Sequence, residues 1–181
     1  MSQETTHIPK LRFPEFEGEW ERTSISSVVS KVTDGTHDTP KPIENGRPYL
    51  TAIHIKNGII DFENSYFLPE YEHEKIYKRC NPEKGDLLMV NIGAGTANSA
   101  IVTVDYEFSL KNVALIKPDR QKISPQFLAQ TQMMNSGRLR HQLASGGAQP
   151  FLSLKQIGKL RFKIPQIVEQ QKIATFLTKV D

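Results

Sequence analysis

Cysteine is almost missing: Cys80 is the only one in 181 residues. A disulfide within the chain is therefore impossible, and one thiol cannot build a cysteine-based zinc site. A reducing cytoplasm is the expected compartment. Long apolar runs are missing too, so no segment is expected to cross a bilayer. The polar start MSQETTHIPK has none of the apolar core of a secretory signal. Catalytic signatures are equally scarce. GAGT at 93–96 lacks both the GxGxxG spacing of a dinucleotide site and the lysine of a phosphate-binding loop. There is no Gly-x-Ser-x-Gly elbow. Asn81-Pro82-Glu83 fails the Asn-Pro-Pro-aromatic pattern of an adenine-directed methyltransferase. His7, His54, His73 and His141 show no zinc-like spacing. Asp34, His37 and Asp38 fit the side-chain turns of a polar loop better than acid–base work. No catalytic group, cofactor or metal is expected.

Acids are also scarce in one long segment. Residues 1–110 carry 11 Lys/Arg against 17 Asp/Glu, whereas residues 111–163 carry 10 against Asp119 alone. The overall charge of +3 thus hides a segment at +9, the footprint expected for a partner with phosphates.

What is present describes a folded protein. Apolar residues make up 38% and charged residues 24%, and the length suffices for one domain with a real core. LRFPEFEGEW (11–20) reads as an extended lead-in pinned by aromatics. Ile25, Val28, Val29 and Val32 have helical spacing, with Thr23 or Ser24 as cap. DGTHDTPKP (34–42) is a loop. Tyr49–Ile55 reads as a strand, Asn57-Gly58 as a hairpin turn, and 59–62 as the return strand. Pro69 opens a charged helix through Tyr77. Leu87–Ile92 is a strand buried on both faces, GAGTAN (93–98) a tight loop, and 100–104 and 113–116 further strands. Ser124-Pro125 starts a helix that Asn135-Ser136-Gly137 is expected to interrupt. Gly146-Gly147 ends the second piece. Ser153 caps one helical turn through Ile157. From Lys159 to Ile164 apolar residues alternate with Lys159, Arg161 and Lys163, a strand with a cationic outer face. Ile173, Phe176, Leu177 and Val180 form an apolar face on a last helix. The fold class is α+β: a mixed, strongly curved sheet with flanking short helices and a C-terminal amphipathic helix.

Three loops combine glycines with amides, hydroxyls or cations: 34–39, 93–98 and 145–149, with Lys111-Asn112 between them. Glycine lets the main chain approach a ligand closely. Amides pair with base edges, and cations meet phosphates. Each loop alone is ordinary turn chemistry. Together, beside the basic segment, they point to double-stranded DNA. The candidates for base edges are His37, Asn98, Asn112 and Gln149. Those for phosphates are Arg47, Lys111, Arg138 and Arg140. Gly93, Gly95, Thr96, Gly146 and Gly147 are candidates for backbone or hydroxyl anchoring.

Four blocks carry a resemblance: PKLRFPEFEGEWE (9–21), GDLLMVNIGAGTANSAIV (85–102), SLKNVALI (109–116) and ASGGAQPFLSLKQIGKLRFKIPQIVEQQKIATFLTKVD (144–181). They resemble the specificity subunit of type I restriction–modification systems: one target recognition domain, 1–164, and the start of a conserved spacer helix, 165–181. The resemblance implies a non-catalytic, cytoplasmic reader of one half of a split DNA target. Its implied partners are methyltransferase subunits and, in the full complex, a motor/endonuclease subunit, with no membrane. A complete subunit carries two such domains. An alternative is a protein-interaction module, or a half-subunit that self-associates weakly through its C-terminal helix.

Overall fold

The computed structural model describes residues 8–144 and 149–179. The chain folds as β1 (Glu21–Ser24), α1 (Ile25–Val28), β2 (Val29–Asp34), β3 (Arg47–Leu50), a 3-10 turn (Ala52–His54), β4 (Ile55–Lys56), β5 (Ile59–Ile60), β6 (Tyr66–Leu68), α2 (Glu70–Cys80), β7 (Leu87–Val90), β8 (Ser99–Ile101), β9 (Ser109–Leu110), β10 (Val113–Pro118), α3 (Pro125–Ala144), α4 (Leu154–Gly158), β11 (Arg161–Ile164) and α5 (Ile167–Leu177). The α+β class holds. The strands divide among an antiparallel sheet β2-β10-β7-β8, a mixed sheet β6-β3-β9, and the pairs β1-β11 and β4-β5. Single bridges such as Thr36 to Lys111, Gly58 to Ala100 and Ile92 to Phe151 stitch these pieces together.

The four-stranded sheet lies between two apolar cores. Leu87 and Met89 of β7 join Ile25, Ile123, Phe127 and Leu128 on one face. Leu88 and Val90 join Leu50, Phe108 and Leu110 on the other. Successive strand side chains alternate between faces, so a strand covered on both sides must be apolar throughout. All four β7 residues are buried accordingly.

Three local expectations need correction. The helical spacing from Ile25 lasts one turn; β2 begins at Val29, where β-branched Val29, Val32 and Thr33 fit a strand better than a helix. The strand read over 49–55 is broken by the 3-10 turn. Helix α3 is continuous across Asn135-Ser136-Gly137. A methyl group at Gly137 would meet no atom, so the glycine faces open space. It costs the helix about 1 kcal/mol against alanine. Burying a side chain such as Leu128 returns roughly 1.5–3 kcal/mol, and Leu139 and Leu143 pack on the same core. Packing wins over the local break.

At the C-terminal side, Phe162 and Ile164 are buried and Arg161 and Lys163 exposed, as the alternation requires. Helix α5 packs into the domain through Ala174 and Ile173, which join the first core, and through polar groups. Gln170 is 1% exposed. Its Oε1 accepts from the Ser124 N–H at 2.9 Å, and its Nε2 donates to the carbonyls of Lys122 and Pro165. Glu169 accepts from both Arg12 and the Trp20 indole, pinning the lead-in segment to α5.

Candidate nucleic-acid interface

Strand register decides which loops meet. Asp34 pairs with Ala114, Val113 with Val90, and Met89 with Ser99. The 34–39, 91–98 and 111–112 loops therefore all leave the same end of the four-stranded sheet. The parallel pairing of β3 with β9 adds the Leu50 terminus there, with the Lys111 N–H donating to the Leu50 carbonyl at 2.9 Å.

Loop 34–39 lies directly on the turn at 111–112. The Thr36 N–H donates to the Leu110 carbonyl, and the Asn112 N–H to the Thr36 carbonyl. Only glycine fits at position 35, because a Cβ there would lie 1.9 Å from the Leu110 carbonyl oxygen. Asn112 takes a left-handed backbone with φ 52°, which asparagine tolerates better than most residues. The half-exposed His37 ring bridges the two loops: Nδ1 lies 3.0 Å from Asn112 Oδ1 and Nε2 3.0 Å from Asp34 Oδ2. Arg79 from α2 donates to the other Asp34 oxygen at 2.6 Å. Lys111 Nζ donates to the Thr39 hydroxyl.

The glycine loop is tied to the segment after 149. The Gly93 N–H donates to the Pro150 carbonyl at 2.9 Å, and the Leu152 N–H to the Asn91 carbonyl. The Thr96 hydroxyl donates to the Gly93 carbonyl at 2.6 Å and lies 3.1 Å from that of Pro150. Thr96 is 1% exposed, so it staples the loop from inside instead of facing a ligand. The expectation of a free Gly93 N–H is corrected likewise, since Pro150 already takes it. Gln149 is exposed, and its Nε2 lies 3.6 Å from where a Cβ on Gly93 would stand. Arg140 of α3 donates to Asn98 Oδ1. The two residues line a small pocket with Asn57, Ser99 and Ser136.

This end of the sheet therefore gathers His37, Gly93, Gly95, Thr96, Asn98, Lys111, Asn112, Arg140 and Gln149. It does not gather Arg47 or Arg138. Arg47 starts β3, about 10 Å from the Leu50 terminus at 3.3 Å per residue. It makes a two-pronged ion pair with Glu70 that holds this carboxyl below the usual range. Arg138 precedes Arg140 by two residues, which turns it to nearly the opposite face of a helix. There it lines an apolar groove with Phe13, Phe127, Phe176, Arg161 and Lys163. Gly146 and Gly147 lie outside the described residues. The +9 segment is thus not one patch, because a helix and a returning strand carry its cations to different sides. Arg79 is a participant that the sequence reading missed, while Thr39 lay in the 34–39 loop without being singled out. Nothing in the sequence links a helical arginine to an aspartate 45 positions earlier.

Ser109 Oγ, His73 and Glu107 stand in a row, with contacts of 3.0 and 3.2 Å. Ser109 is 0% exposed, so no substrate can reach its oxygen. Among the described residues no cluster of three or more His, Cys, Asp or Glu is placed to hold a metal, and no helix is long and apolar enough to cross a membrane.

A family model of the type I restriction modification DNA specificity domain matches residues 17–181. The chain belongs to this family. No curated protein matches this specificity domain in sequence. Solved structures share its fold at low identity. The type I restriction–modification S subunit from M. genitalium aligns over 88% of this chain and 39% of its own, with TM-score 0.63 and 17% identity. The HsdS subunit from Thermoanaerobacter tengcongensis aligns over 97% and 40%, with TM-score 0.64 and 12% identity. A chain from a structure on complex assembly and conformational transition of the type I R-M system aligns over 98% and 41%, with TM-score 0.62 and 13% identity. The specificity domain thus spans about two fifths of each neighbour.

Proposed function

We propose that this specificity domain reads one half of a bipartite duplex-DNA target from the loop end of its four-stranded sheet. The convergence of loops 34–39, 91–98 and 111–112 on one sheet end carries this reading. Those loops present amide, imidazole and ammonium groups, the chemistry that pairs with base edges and phosphates. Apart from His37, and from the exposed Phe151 that bridges to Ile92, this end carries no aromatic ring on which unstacked bases could lie, and so sparse a platform favours duplex over single strands. Residues 1–164 serve as the reader and 165–181 as the start of a spacer helix. The chain acts in the cytoplasm and contributes no catalysis. It directs methyltransferase subunits and, in the full complex, a motor/endonuclease subunit to the site.

A second reading has its own observation. The groove beside α5, about 1050 Å³, is floored by Phe13, Phe127 and Phe176, and Phe176 is 54% exposed. Such a face suits protein association, including weak self-association. Light scattering at high concentration tests that reading, and a strict monomer counts against self-association.

The test of DNA reading is selection from a randomised duplex pool by the 181-residue chain at low salt, followed by sequencing. One short motif is expected, bound weakly because a lone domain lacks the effective concentration of a second site. Absence of any motif, or equal retention of single strands, contradicts the reading.

A further inference from the structure

The geometry points to His37 as a positioning residue that sets which end of the Asn112 side-chain amide faces DNA, an inference resting on the DNA-reading function proposed above. The argument is one of donors and acceptors. Asp34 is buried, with one oxygen taking a hydrogen bond from Arg79 at 2.6 Å and the other 3.0 Å from His37 Nε2. A carboxylate only accepts, so the ring proton on Nε2 is fixed. The opposite nitrogen, Nδ1, lies 3.0 Å from the Asn112 amide. Exactly one proton must stand between these two groups, and it has two possible sources.

If the ring is cationic, Nδ1–H donates to Asn112 Oδ1, and the amide NH₂ turns outward as a donor. If the ring is neutral, Nδ1 accepts, the amide rotates so that its NH₂ donates inward, and Oδ1 turns outward as an acceptor. In the major groove an outward NH₂ needs an acceptor (guanine O6 or N7, thymine O4 or adenine N7), whereas an outward oxygen needs a donor (cytosine N4 or adenine N6), so adenine suits both states and cytosine only the second. Histidine ordinarily changes charge between about pH 5 and 8, so one base preference follows the ring. The charged groups around the ring are Asp34 of β2, Arg79 of α2 behind it, Asp38 next in the loop, and Lys111, whose Nζ is held by Thr39. Asn112 is partly exposed, so this rotation changes what a ligand meets.

Two measurements on the 181-residue chain test the inference. In the first, side-chain NMR follows the His37 ring nitrogens and the Asn112 NH₂ protons through a pH titration without DNA. The Asn112 signals are expected to move with the same midpoint as His37, and to lose that midpoint in His37→Ala. Asn112 signals that stay flat through the His37 titration overturn the inference. In the second, the randomised duplex pool is selected at about pH 5.5 and about pH 8. One position is expected to change its ratio of guanine or thymine to cytosine by about tenfold between the two pH values, with cytosine gaining at the higher one, and His37→Ala should abolish the change. A motif that is identical at both pH values, or a switch that survives in His37→Ala, overturns this inference alone. A pool that yields no motif at either pH overturns the DNA-reading function, and this inference with it.

Discussion

The two ends of the four-stranded sheet hold their lysines differently, although the loop end also has a carboxylate pair of its own, Arg79 with Asp34. At the far end, Lys117 lies 2.8 Å from Asp86 and 3.1 Å from Glu83, and Arg120 caps the Lys84 carbonyl. Burial raises the Asp86 carboxyl above the usual range against its bonds to Lys117 and Glu83. Burial also works against the Lys117 charge, but Asp86 and Glu83 outweigh it and its pKa is raised. At the loop end, Lys111 and Arg140 rest on neutral oxygens, those of Thr39 and Asn98. Neutral partners are weak competitors for a phosphate, whereas a carboxylate is a strong one. Cations satisfied within the protein build it, and cations parked on hydroxyls and amides remain available to a ligand.

The largest expected effect tests whether the loop end is one unit. Gly35→Ala forces a methyl group into the Leu110 carbonyl and should cost about 3 kcal/mol in urea unfolding. It should also separate the 34–39 loop from 111–112 and blur base selection. Gln170→Leu serves as the control remote from the loop end. It orphans the Ser124 N–H and two carbonyls and should cost about 2 kcal/mol, with the selected motif unchanged. Thr96→Val removes the staple between the Gly93 and Pro150 carbonyls and should cost about 1 kcal/mol. Its effect on binding should show as slower association with duplex.

The next pair sets the two ends against each other. Lys111→Ala should leave the melting temperature unchanged and flatten the slope of log affinity against log salt by about one unit. Lys117→Ala should lower the melting temperature and leave that slope alone. The reverse pattern breaks the comparison. The smallest effect concerns pH. The folded Asp86 pKa stands above its unfolded value, so its contribution to stability is greatest at acid pH and falls as pH rises through that window. On acidification from about pH 7 to pH 4 the stability gap between wild type and Asp86→Asn should move in favour of the wild type.

Much of the fold was legible because local and long-range signals agreed. The apolar run 87–92 was read as a strand, and its first four residues, Leu87–Val90, are one, lying between two cores. Asn57-Gly58 turns with both residues at positive φ, the hairpin geometry its sequence calls for. Ser153 and Gln156 cap each other as the short helix α4 requires. Where signals conflicted, tertiary packing overrode the sequence, as in α3 across Gly137. At the candidate site only geography is open to comparison, because the roles of its residues are proposals. His37, Asn112, Asn98 and Gln149 come to one end. Arg47 pairs with an acid that only the fold brings near, and Arg138 turns away because two helical residues face opposite sides. The basic segment reported an excess of charge, but its distribution depends on where α3 and β11 run. Arg79 was invisible because its role exists only through Asp34.

The most direct test is NMR mapping of the full chain titrated with a duplex chosen from the randomised pool. The account predicts that shift changes gather at residues 34–39, 91–98 and 111–112 and at Arg140 and Gln149, with 83–86 and 117–122 unmoved. Changes gathered at 83–86 and 117–122, or along the groove beside α5, would contradict it.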